Sequence, residues 1–96
     1  MRTMREQRIV EILGELSDRV AHVSCDLCEL QDDFNYRHRP NMQIRKDANK
    51  LIENGLIMTK RFMSIAKQFG MNEGIPMYDT FMCRYNKFTD RASFFA

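Results

Sequence analysis

The sequence predicts an all-α fold: a long antiparallel helical hairpin plus a shorter C-terminal helix, assembled as a homo-oligomer. Two separate stretches carry apolar residues at the same heptad spacing. Four Gly, two Pro and eight Met suit helices better than a turn-rich β fold. At 96 residues the chain is one domain overall, able to bury about two-thirds of its unfolded surface. That size, with 44% hydrophobic and 29% charged residues, excludes a disordered tail, a collagen-like repeat and a multi-domain enzyme.

The first helix is expected from about residue 4 to about residue 36. Ile9, Leu13, Leu16, Val20, Val23, Leu27, Leu30 and Phe34 alternate spacings of four and three, which places them on one stripe. Thr3 followed by Glu6 reads as a capping box that starts the helix.

A break follows at residues 36–41. Pro40 disfavours helix at Arg39, and Asn41 is the expected N-cap of the second helix. There Ile44, Ala48, Leu51, Gly55, Met58, Phe62, Ile65 and Phe69 repeat the stripe, with Gly70 placed as the C′ residue. Antiparallel pairing about the turn matches Phe34 with Ile44 and each later pair in step, down to Ile9 with Phe69. Two independent stripes that meet in one register specify a hairpin.

The hairpin does not consume the apolar surface. Ile52, Leu56, Ile57, Met63 and Ala66 flank the second stripe, and Val10 and Ile12 flank the first. Either the C-terminal segment or another copy of the chain covers them. Residues 1–70 therefore read as the hairpin, and residues 71–96 as a linker with an aromatic-rich helix. Pro76 suits the first turn of that helix, and Tyr78, Phe81, Tyr85 and Phe88 recur along it up to about Thr89. The chain closes on Ser93-Phe94-Phe95-Ala96, apolar for a terminus. Ile52, Leu56, Met63, Phe81 and Phe88 are the candidate residues for an interface between copies.

Charge is uneven. Residues 1–40 hold six Lys/Arg against eight Asp/Glu, whereas residues 41–71 hold six against two. Pairing of Lys50, Lys60, Arg61 and Lys67 with acids of the first helix is the ordinary expectation. The overall charge of +2 is too mild to predict nucleic-acid binding by itself. Three Cys, no secretory apolar region after Met1 and no stretch near the ~20 residues that span a bilayer read as a reduced, cytoplasmic protein.

Catalytic and metal chemistry have little support. Cys25-x-x-Cys28 with His22 lacks the second ligand pair a structural zinc needs, and no strand precedes it as in a thioredoxin-like motif. Ordinary surface or interface cysteines are the expectation, with no metal and no cofactor. No glycine-rich phosphate loop, GxSxG or HExxH occurs, and no catalytic residue is assigned.

The remaining signal is a basic turn. Arg37 and Arg39, with Arg45 and Lys46 one turn into the second helix, gather positive charge at a helix N-terminus, where anions are favoured. Tyr36, or Tyr78 and Tyr85 from a neighbouring chain, supplies aromatic faces for stacking.

With the run Ala48-Asn49-Lys50-Leu51-Ile52-Glu53-Asn54-Gly55-Leu56-Ile57-Met58 after a long first helix and a short turn, the chain resembles the helical-hairpin domain of small phage proteins. Those anti-CBASS sponge proteins assemble as homo-oligomers and sequester cyclic oligonucleotide signals of antiviral defence. The resemblance covers residues 9–69 as an architecture and transfers no individual ligand residue. It implies a non-enzymatic phage or mobile-element protein that binds a nucleotide-type signal or blocks a host component. A protein-binding inhibitor or adaptor using the apolar rows is the alternative, as is a small nucleic-acid-binding regulator. A regulator would need a recognition helix with exposed base-reading side chains, and both long helices spend their regular face on the stripe.

Overall fold

The capping box between Thr3 and Glu6 forms: Glu6 N–H donates to Thr3 Oγ1 at 3.2 Å, and Thr3 N–H to the Glu6 carboxylate at 3.3 Å. From it α1 runs Met4–Asn35, followed by α2 at Asn41–Gln68 and α3 at Pro76–Ser93. The computed structural model describes residues 3–95; Met1, Arg2 and Ala96, the last residue of the apolar terminus, lie outside the described residues. Among the described residues there is no strand, and no helix is long and apolar enough to cross a membrane. The three helices form a bundle measuring 53 × 22 × 17 Å.

The two stripes make the core. Leu13, Leu16, Val20, Val23, Leu27 and Leu30 of α1 are buried with Ile44, Ala48, Phe62 and Ala66 of α2. Phe69, expected to end the second stripe, is 48% exposed at the end of the hairpin away from the turn. Both helices stop with the same hydrogen-bond pattern, which satisfies carbonyls left free at a helix end. Gly70, at φ 66, lets Met71 N–H reach Ala66 O at 2.8 Å. At the end of α1 the same left-handed place, φ 55, is held by Arg37, with His38 N–H reaching Asp33 O at 2.9 Å.

The third helix packs along a second face of α1 and leaves Leu56, Ile57 and Met63 of the second apolar row exposed. Arg84 donates to Ser17 Oγ and Arg91 to Ser24 Oγ, both 67 residues apart in sequence. A constant offset means that α3 runs parallel to α1, and hence antiparallel to α2. It packs much more closely on α1 than on α2. Ser17, Ala21, Ser24 and Cys28, at spacings of four and three, form a stripe of small residues that lets α3 approach. Ser17 and Ser24 are themselves buried, at 4% and 3% exposed. This stripe is a second seam of α1 that its small and polar residues disguise as solvent-facing.

Phe81 and Phe88 point into the chain's own core, at 0% and 1% exposed. Their assignment to an interface between copies is therefore corrected: Phe81 stacks on Phe62 at 3.7 Å between centroids, and Phe88 lies over Gly55. Burial of each ring is worth about 1.5–3 kcal/mol. Helix α3 continues to Ser93 instead of ending near Thr89, carrying Arg91 to its bond with Ser24. Beyond it Phe95 is buried, and Phe94 sets its ring edge-on to Phe34 at 5.5 Å.

Candidate functional site

The basic turn is built differently from its sequence reading. Asn41 is the first residue of α2 and not its cap; Pro40 holds the cap position, and no side chain caps the helix. Arg39 is spent on structure. Its Nε bonds Asp33 at 3.2 Å and its terminal nitrogen bonds Asp47 at 3.1 Å, so one guanidinium ties the end of α1 to the first turns of α2. His38 adds a contact to Asp33 at 3.4 Å.

Arg37, Arg45 and Lys46 remain exposed and make no ion pair among the described residues. Tyr36 is 72% exposed and lies nearly parallel to the His38 ring at 6.0 Å. A hollow of about 450 Å³ joins Arg37 and Arg39 to Pro40 and Asn41 at the uncapped start of α2.

Tyr78 and Tyr85 do not join this group. Both are half-buried against the core, and Tyr85 stacks towards Phe81 at 6.3 Å. By helix rise they lie about 24 and 14 Å down the bundle from Phe94, which itself sits against Phe34. The structure thus brings Arg37 and Arg39 together within one chain and leaves the two tyrosines elsewhere. Of the remaining interface candidates, Ile52 is half-buried, Leu56 is 44% exposed and Met63 37% exposed. Helical position places this row beside Tyr78, Met82 and Tyr85, along the looser α2–α3 junction.

Cys25 is exposed, in a cleft with Lys87 and Arg91, whereas Cys28 is half-buried one turn beyond Ser24. Cys28 therefore lies on the α3-facing flank of α1. Among the described residues no three His, Cys, Asp or Glu side chains come together as metal ligands.

A second surface lies away from the turn. Helix α3 covers one side of the hairpin; on the other side α1 and α2 leave a trough at the end away from the turn. Its floor is Ile9, Ile12, Ile65 and Phe69, and its walls are Arg5, Arg8, Lys60 and Arg61. None of these four cations makes an ion pair among the described residues, and no carboxylate lines the trough. The expected pairing of Lys50, Lys60, Arg61 and Lys67 with acids of α1 is corrected, since none of them makes an ion pair among the described residues. The interhelical pairs use Arg39 and Arg84 instead, the latter bonding Asp18 at 2.8 Å. The signal lay in the spacing of Arg5, Arg8, Ile12 and Leu16, which share one flank of α1.

Fold and surfaces together define a three-helix bundle with a clamped turn at one end and a cation-walled apolar trough towards the other. No family model, curated protein or solved structure matches the chain.

Proposed function

We propose that the protein is a non-enzymatic binding protein that holds a protein partner against the open side of its α1–α2 hairpin. One observation carries this reading: the trough exposes an apolar floor between four cations that make no ion pair among the described residues. Ile12 is 37% exposed and Phe69 48%, so a partner gains apolar burial there as well as charge contacts. Self-association belongs to the same proposal and uses a different surface, the Ile52, Leu56 and Met63 row. The test is native mass spectrometry of the protein purified from its own cells, beside the surface variant Ile12→Asp. A bound polypeptide that the variant no longer retains supports the reading. A nucleotide-sized adduct indifferent to Ile12→Asp overturns it.

The second reading is a nucleotide-type ligand at the turn, as the resemblance to the phage sponge proteins implies. The specific observation in its favour is Arg37, an exposed cation kept at a left-handed position that favours glycine. Arg45 and Lys46 would meet further phosphates, and Tyr36 would stack on a base. Titration with a cyclic dinucleotide against Arg37→Gly tests it cleanly, because that change removes the charge while easing the backbone.

A further inference from the structure

The trough restricts its own occupant. Its floor extends from Ile9 to Leu16 along α1, flanked by Ile65 and Phe69 of α2. From Arg5 to Leu16 the helix rises about 17 Å, or three turns. The hollow is the groove between two antiparallel helices, and the shape that fills such a groove is another helix, completing a four-helix arrangement.

A second copy of this chain is a poor occupant. A two-fold contact centred on the trough would set Arg5, Arg8, Lys60 and Arg61 against their own symmetry mates. The chain does have an acidic stretch, with Asp26, Glu29, Asp32 and Asp33 towards the end of α1. Its apolar neighbours, Leu27, Leu30 and Phe34, are already committed to the core, so that stretch has no apolar row to lay on the floor. Helix α3 ends at the opposite end of the bundle, where Phe94 meets Phe34.

We infer that the trough docks an acidic amphipathic helix of about three turns from another protein. Apolar residues at i, i+4 and i+7 seat between Ile12 and Ile65, and carboxylates on both flanks meet Arg5 and Arg8 on one side and Lys60 and Arg61 on the other. The inference rests on the protein-binding reading proposed above and names the chemistry of its partner.

Fluorescence anisotropy on the full chain provides the test. The probe is a labelled helical peptide of three to four turns with a leucine row flanked by glutamates. Its control has every glutamate replaced by lysine. The glutamate peptide is expected to bind saturably and the lysine peptide at least tenfold more weakly, with raised salt narrowing the difference. Arg8→Glu with Arg61→Glu should reverse the preference, and Arg45→Ala at the distant turn should leave it unchanged. Circular dichroism checks that the variants are folded, and Ile12→Asp with intact trough charges provides a second, independent loss of binding.

Equal affinity for both peptides, or none for the glutamate peptide, overturns the inference. So does binding to anionic vesicles or to a single-stranded oligonucleotide that the charge reversal removes while the glutamate peptide stays unbound; the trough would then belong to a lipid surface or a nucleic acid. A polypeptide retained through Ile12 in native mass spectrometry, together with failure of the glutamate peptide, overturns the acidic-helix inference alone.

Discussion

The ring of Phe88 lies where a side chain of Gly55 would be. A Cβ built on Gly55 would stand 2.5 Å from Phe88 Cε2 and nearer still to Cζ, far inside van der Waals contact. The glycine in the middle of α2 therefore has a packing purpose: it is the hole into which α3 inserts an aromatic ring. Together with the Phe62–Phe81 stack about two helical turns away, it sets how α3 meets α2.

Gly55→Ala should consequently destabilise the protein, although alanine favours helix by about 1 kcal/mol over glycine. Phe88 is 1% exposed and cannot swing into solvent, so overpacking outweighs propensity and a net loss of about 1–3 kcal/mol is expected in urea unfolding. Combining Gly55→Ala with Phe88→Leu should recover part of that loss. An alanine variant as stable as the parent would refute the account.

The turn allows two substitutions of opposite sign. Arg37→Gly relieves a left-handed backbone and should raise stability by about 1 kcal/mol. Arg39→Ala breaks contacts to Asp33 and Asp47, and should lower it by about 1 kcal/mol, since the side chain is 34% exposed and water screens the charges. Thermal melts that move in the same direction for both would contradict the division of labour between these arginines.

Helix α3 depends on α1 through two arginine–serine contacts. Arg91 donates to both the carbonyl and the hydroxyl of Ser24 at 3.0 Å, so Arg91→Met should cost about 1–2 kcal/mol. Amide exchange should then quicken across residues 76–93 before it does in the hairpin. Uniform quickening over all three helices would mean that α3 does not open as a separate unit.

The cysteines carry no pairing that their loss would break. Cys25→Ser with Cys28→Ser is expected to shift stability by less than about 1 kcal/mol, and metal analysis of the parent should find no stoichiometric zinc. Zinc present at one equivalent and absent from the double variant would overturn this.

Light scattering at tens of micromolar should return a mass above the 11.5 kDa of one chain if the Ile52, Leu56 and Met63 row pairs copies. Leu56→Glu should then yield the single-chain mass with helicity intact. A parent that already scatters as one chain would remove self-association from the proposal.

The helices and their seams were legible in the sequence because apolar periodicity and end signals are local. Two heptad stripes, the Thr3–Glu6 box, Gly70 and Pro76 each specify a helix or its end through neighbours within one turn. Where α3 would lie was decided only in three dimensions. Ser17, Ala21, Ser24 and Cys28 have no hydropathy signal of a buried face, and became one because small side chains permit close approach and Arg84 and Arg91 satisfy the buried hydroxyls. The candidate sites divide the same way. A cluster of cations can be counted along the chain, but whether each is free depends on which carboxylates the fold brings within reach: Arg39 met two, while Arg8 and Arg61 met none among the described residues.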